Sequence, residues 1–173
     1  MFNEKGQTLL ELIVVVAVSV IVVGALVFAT IASLRNASFS KNQSLATKLA
    51  QEGIEKVRSA RDRGDPIGGN FTISGVTITS WQDPNLWTQQ ISPNCLPNCY
   101  FKFGSSGFQH LTAASDIPST AEDPLGDGKF KRVIVLADDS TTYQQQKKIT
   151  SIVRWTDFSG PHESRLTTIL RKL

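Results

Sequence analysis

The sequence predicts an α+β protein in which a long N-terminal helix, membrane-spanning in its first half and amphipathic in its second, packs against a small antiparallel β-sheet. Three observations predict it. From Leu12 to Leu34 the chain carries 23 uncharged residues dominated by Val, Ile, Leu and Ala. From Leu45 to Ala60 apolar residues recur three or four apart, which places them on one helical face. Beyond Pro66 the pattern changes to short runs of period two, separated by Gly, Pro, Asn and Asp.

The N-terminal element starts with a short polar leader, Met1-Phe-Asn-Glu-Lys-Gly6, followed by Gln7-Thr-Leu-Leu-Glu11 and the apolar run. A helix needs about 20 apolar residues to cross a hydrocarbon core, and this run supplies them. A cleaved secretory signal has a shorter apolar region and a small-residue cleavage site, which Thr30-Ile31-Ala32 does not provide. A buried core helix is rarely apolar on every face in a chain this short. A plain signal anchor accounts for the hydrophobicity but leaves Glu11 and the Gly6-Gln7 junction unexplained. An ionisable side chain at the head of such a segment is costly and marks a functional site.

Lys5-Gly6 followed by Gln7-Thr-Leu-Leu-Glu11-Leu-Ile-Val-Val-Val-Ala17 resembles the prepilin cleavage and methylation motif of type IV pilins and pseudopilins. The resemblance covers about 25 residues, with leader, glycine, glutamate spacing and apolar run all in agreement. It implies cutting by a membrane aspartyl prepilin peptidase between Gly6 and Gln7, and N-methylation of Gln7. It also implies an assembly salt bridge from Glu11, fifth in the mature chain, to the amine of a neighbouring subunit. The family usually has Phe or Met at the first mature position, where this chain has Gln7.

Elementary physics fits these roles. Glycine has no Cβ, so the backbone at Gly6 can approach a protease closely. No Lys or Arg lies between Gln7 and Arg35, so the mature chain's own cation near Glu11 is the amine at Gln7. A cation about 4 Å from a carboxylate returns roughly 4 kcal/mol at an effective dielectric near 20, offsetting part of the desolvation of Glu11. The count of flanking Lys and Arg, with Lys5 on one side and Arg35, Lys41 and Lys48 on the other, does not place the N-terminus inside. The motif does, because the family's leader is cut on the cytoplasmic face.

The amphipathic continuation is Leu45, Ala46, Leu49, Ala50, Ile54, Val57 and Ala60, with Lys48, Gln51, Glu55, Arg58 and Asp62 on the other faces. A helix from about Thr8 to Arg61 is roughly 80 Å long. Asn36 to Ser44 is its weak point, rich in Asn and Ser, where a bend or local melting is expected. Gly64-Asp65-Pro66 and Gly68-Gly69 end it.

Phe71 to Thr79 alternates around Gly75 and predicts a strand or hairpin. Residues 82–128 read as irregular, with one short apolar run at Tyr100-Phe-Lys-Phe. Three better strands follow, Phe130–Ala137, Lys148–Thr156 and Ser164–Arg171, the last two joined by the tight turn Asp157-Phe-Ser-Gly-Pro. Ile149, Val153 and Trp155 form a core face that Ser151 interrupts. The sheet is expected to lie across the Leu45–Ala60 stripe, giving both elements an apolar partner. The family resemblance implies the same pilin-like arrangement, and the Val-Arg-Trp-Thr-Asp-Phe-Ser-Gly hairpin and Ala50-Gln-Glu-Gly-Ile-Glu resemble minor pilins.

A net charge of +3 conceals an asymmetry. About seven basic and three acidic residues lie in 35–63, about one and six in 64–128, and about nine and four in 129–173. Lys147, Lys148, Arg154, Arg165, Arg171 and Lys172, with Trp155 among them, raise DNA contact as an alternative, although such strands more often carry a solvated face. Cys95 and Cys99 are the only cysteines. A disulfide is expected, ahead of free thiols, with a metal site third because zinc needs further ligands and His110 and His162 stand at no recognised spacing. The loop holding Asp123 and Asp127 has an acidic, glycine-bearing look compatible with calcium, but it lacks the EF-hand pattern and a solvated turn is favoured. No hydrolase, metal or phosphate-loop motif appears, so no enzyme activity, catalytic residue, metal or cofactor is expected.

The expected organisation is a leader at 1–6, a transmembrane or filament-core helix at 7–34, its amphipathic continuation at 35–63 and an extracytoplasmic β-rich domain at 64–173. The reading is a structural subunit of a type IV filament, a minor pilin or pseudopilin, made as a single-pass inner-membrane precursor and then displayed in a cell-surface filament. Its expected partners are other pilin subunits, the prepilin peptidase, the inner-membrane assembly platform and the membrane itself. The alternatives are a competence or type II secretion pseudopilin, or a membrane-anchored extracytoplasmic binding domain that does not polymerise.

Overall fold

A computed structural model describes residues 4–91, 100–105, 107–111, 121–138 and 145–173. The chain divides into two units, one reaching to Lys41 and one spanning Asn42–Leu173. Helix α1, Glu4–Arg63, contributes to both. Residues 36–44, expected to bend or melt, are helical throughout. The helix ends as its sequence predicts. Gly64 takes the left-handed conformation (φ 69°), its N–H bonds the Arg61 carbonyl at 3.0 Å, and Asp65 N–H bonds the Ala60 carbonyl at 2.9 Å. This is a Schellman closure, and Pro66 then prevents helical continuation.

In the second unit a six-stranded sheet has the order β1-β5-β4-β6-β7-β8. Its strands are β1 Ile67–Gly68, β4 Tyr100–Gly104, β5 Gly107–Leu111, β6 Phe130–Ala137, β7 Gln146–Asp157 and β8 Gly160–Arg171. All neighbours are antiparallel except β1, which runs parallel to β5 over two residues. A separate hairpin, β2 Thr72–Ile73 with β3 Val76–Thr77, turns through Ser74 and Gly75, both at positive φ. That is the hairpin anticipated from the alternation around Gly75. The three C-terminal strands also form where the period-two pattern places them, and β7 and β8 pair from Gln146↔Arg171 to Asp157↔Gly160.

Two elements lie in the stretch read as irregular. The β4–β5 hairpin grows from the Tyr100-Phe-Lys-Phe run, and Phe101 and Phe108 stack with ring centroids 4.7 Å apart. The short helix α2, Pro84–Thr88, is capped by Asp83, whose Oδ1 accepts from Asn85 N–H at 2.9 Å, with Pro84 in the first helical position. Asp83-Pro84 is a start signal that a stretch of low apolar content had obscured.

The second half of α1 lies on one face of the sheet. Ala46, Leu49 and Ala50 pack with Phe130, Val153 and Trp155, while Val57 and Ala60 join a larger cluster with Ile134, Leu136, Ile149 and the buried Trp81 and Trp87. Ser151, which broke the expected apolar row, is fully buried opposite Gly53. The row therefore narrows where helix and strand come closest. Pro161, Arg165 and Arg171 stand on β8, the outer strand, where a missing donor and exposed charges discourage pairing with another edge.

Candidate functional site

The N-terminal half of α1 is the candidate site. From Leu9 to Leu34 its large apolar side chains are exposed on every face, from 41% at Ile31 to 77% at Phe28. An apolar surface this continuous exceeds what a soluble monomer leaves in water. The helix is long and apolar enough to cross a membrane. Two of its hydroxyls, those of Ser19 and Thr30, are satisfied internally, which suits such a medium. Ser19 Oγ donates to the Val15 carbonyl at 2.8 Å and Thr30 Oγ1 to the Leu26 carbonyl at 2.7 Å. Glu11 alone among residues 8–34 carries a charge, and it stands exposed on the helix.

Gly6 and Gln7 fall near the start of α1, which begins at Glu4. The first four N–H groups of any helix lack intrahelical acceptors, so these turns open at little cost. Glycine within a helix lowers that cost further, by about 0.5–1 kcal/mol relative to Ala. The Gly6–Gln7 peptide bond therefore lies in the first turn of α1.

Residues 1–27 match the family model described as the prokaryotic N-terminal methylation motif. The chain carries the type IV pilin and pseudopilin signature. No curated protein and no solved structure matches the chain. The signature and the helix-on-sheet architecture agree with one another, since a pilin-like α+β fold has its apolar helix continuous with the helix that packs on the sheet. The signature points to a structural subunit processed in the manner of pilins, with a membrane-anchored precursor.

The other sequence candidates are placed as follows. Cys95 and Cys99 lie outside the described residues. Asp123 is occupied within its own loop, where Oδ1 accepts from Gly126 N–H at 3.0 Å and Oδ2 from Gly128 N–H at 2.8 Å. Asp127 Oδ1 accepts from Lys129 N–H at 2.9 Å. The carboxylates of this loop thus bond its own backbone, and among the described residues no cluster of three acidic, His or Cys side chains is placed to hold a metal. His162 stacks on Trp155 and shares a 2.9 Å contact with Asp157, closing the β7–β8 turn. His110 lies against Phe71 and Phe101, with its Nδ1 3.2 Å from the Gly69 carbonyl.

The basic strands do not form one solvated track. Lys147 is fully buried, donating to Asp138 at 2.6 Å and to the Gln89 carbonyl at 3.0 Å. Asp138 also accepts from Ile91 N–H, so the pair ties the chain after α2 to the sheet. Burial pushes the Asp138 carboxyl up and the Lys147 ammonium down, against their mutual attraction. Arg154 and Arg165 both bond Glu163, whose carboxyl they hold below its usual range despite partial burial.

Sequence reasoning missed a second buried charge. Arg132 is fully buried on β6, bonds Glu122 through Nε (2.9 Å) and Nη2 (2.6 Å), and donates from Nη1 to the Leu49 carbonyl at 2.6 Å. Glu52 on α1 lies 3.4 Å from Nη2, so the guanidinium joins helix, sheet and the chain before β6. Burial raises the Glu52 carboxyl, but Lys56 and Arg132 outweigh it and hold the group low. The available signal was phase: Arg132 alternates with Phe130, Ile134 and Leu136, and Lys147 with Ile149, which places both on the inward face.

Proposed function

We propose that this chain is a structural subunit of a type IV filament, a minor pilin or pseudopilin, cut between Gly6 and Gln7 and assembled through α1. One observation carries the reading: a single helix bears the processing signature, a lone carboxylate and an apolar surface exposed on all sides, continuous with a helix that already serves as the spine of a folded head. That surface needs an apolar environment twice, lipid before processing and neighbouring helices afterwards. Either environment buries about 25 cal/mol of favourable transfer per Å² of apolar surface.

Glu11 then has a defined role. In a helix bundle it meets the Gln7 amine of an adjacent subunit, which sets the axial register and relieves its own desolvation. The leader blocks that pairing until cleavage frees the amine, so processing licenses assembly. N-methylation at Gln7 retains the positive charge. The β-rich domain, 64–173, is extracytoplasmic, where Cys95 and Cys99 meet an oxidising environment and form a disulfide.

A Glu11→Ala variant tests this reading. It should be cleaved as the native chain is, yet be lost from the sheared filament fraction. Incorporation at the native level would contradict the proposed role. DNA contact has little support, since Lys147 is buried and Arg154 and Arg165 are committed to Glu163. A domain that is anchored without polymerising would leave the exposed face of α1 in lipid and make Glu11 dispensable for localisation.

A further inference from the structure

Among the described residues one ion pair has both side chains fully buried, Lys147 with Asp138. Sheet register places it. β6 and β7 pair from Phe130↔Trp155 to Ala137↔Lys148, and one further step sets Asp138 against Lys147. Lys147 Nζ lies 2.6 Å from Asp138 Oδ1. The neighbours of Lys147 on that face of the sheet are apolar. Leu170, its register partner on β8, and Ile149, two residues on, are both buried.

Taking two charges out of water costs as much as their attraction returns, or more. Here burial pushes the carboxyl up and the ammonium down. Both shifts favour moving one proton across the contact, which leaves a neutral amine against a carboxylic acid. Those are the reactants of an amide condensation. The backbone after α2 holds the remaining atoms in place for it. The Gln89 carbonyl accepts from Lys147 Nζ at 3.0 Å and fixes the amine, while Ile91 N–H donates to Asp138 Oδ2. Oδ1, facing the amine, is placed as the leaving oxygen. Oδ2 has a backbone donor where negative charge gathers in a tetrahedral intermediate. A contact fixed in this way turns a bimolecular step into an intramolecular one.

We propose that Lys147 and Asp138 are a site of self-modification, joined by an amide bond between Nζ and Cγ. The amine lone pair adds to Cγ, and one N–H proton passes to the Oδ1 hydroxyl. The Cγ–Oδ1 bond then breaks to release water, and Oδ2 returns to a carbonyl. No oxidant, cofactor or second protein is consumed. The product is neutral, so both buried charges and their desolvation disappear together. The bond closes the chain from 138 to 147 and fastens the end of β6 to the start of β7 by a link that reduction does not cut. This inference stands on the head alone and is independent of whether the chain polymerises.

Peptide mass spectrometry on the full chain, folded in detergent and then digested, reads the bond directly. Trypsin should release residues 133–148 as one peptide, lighter than its sequence by one water, because a linked Lys147 is no longer a cleavage site. Fragmentation of that peptide should give no backbone ions between Asp138 and Lys147. Acetic anhydride should leave Lys147 unlabelled in the unfolded chain. Lys147→Arg keeps the cation but forms no amide, and Asp138→Ala removes the carbon that is attacked, so both variants should carry full mass over this region. Full mass in the native chain, with Lys147 acetylated after unfolding, overturns the proposal. So does a loss of water that survives in Lys147→Arg, which assigns it to cyclisation of Asp138 on its own backbone.

Discussion

Gly53 on α1 lies so close to Ser151 on β7 that a Cβ on the glycine would stand 2.6 Å from the serine hydroxyl. The same Cβ would come within 3.1 Å of Arg132 Cδ and Ile134 Cδ1. A residue that weakens a helix interior and a residue that interrupts an apolar strand therefore explain each other. Both are small because helix and sheet touch there.

Widening that contact should loosen the head. Gly53→Val places a branched side chain against Ser151, Arg132 and Ile134 and should destabilise by about 2–3 kcal/mol. Thermal unfolding in detergent reads this directly. Adding Ser151→Gly to Gly53→Ala should cost less than the two single changes summed, because the serine is the nearest obstacle.

Arg132 fastens the same contact with charge. Arg132→Met leaves Glu122 without its guanidinium and the Leu49 carbonyl without its donor, a loss of about 3–4 kcal/mol by the behaviour of broken buried pairs. Glu122→Gln in the Arg132→Met background should restore part of it. Denaturant titration of the two singles and the double gives the coupling, and strict additivity would refute a linked pair.

Glu52 makes the junction acid-sensitive. Its carboxyl is held low in the fold, so its contribution is present above the unfolded value of about 4.3 and is lost as pH falls through the lowered native value. The group is 46% exposed, so the effect is small, about 0.5 kcal/mol after solvent screening. Native protein should exceed Glu52→Gln in melting temperature at pH 6 and match it near pH 3.

Asp138 has the opposite sign. Its folded value is raised by burial and opposed by Lys147. Removing the cation in Lys147→Met should raise it further. A raised carboxyl contributes stability below the unfolded value of about 3.9 and loses it as pH rises through the native value. The variant should therefore melt progressively earlier relative to native protein between pH 4 and 7. A pH-independent difference would show that Asp138 does not sense its partner.

Much of this was legible in the sequence, for identifiable reasons. Gly64 before Asp65-Pro66 ends α1 because a left-handed residue closes the last carbonyls locally. The β7–β8 turn depends on Asp157 accepting from Ser159 two residues on, a short-range bond that composition announces. The Gly6–Glu11 spacing was equally visible, and the family match confirms the signature that contains it. What escaped was set by distant partners. The β4–β5 hairpin draws its core from Phe71 and Trp81, and Arg132 becomes structural only when Leu49, Glu52 and Glu122 converge on it. Inward phase on a strand hinted at a buried charge, but the identity of its partners depends on the tertiary fold.

The central claim is that residues 1–6 are removed and that Gln7 becomes the new, methylated N-terminus. Intact mass with N-terminal fragment sequencing, on protein made beside a prepilin peptidase, measures this most directly. The account predicts a chain that starts at Gln7, with one added methyl group, and a Gly6→Ala variant that keeps its leader. A chain retaining Met1–Gly6 beside an active peptidase would contradict it.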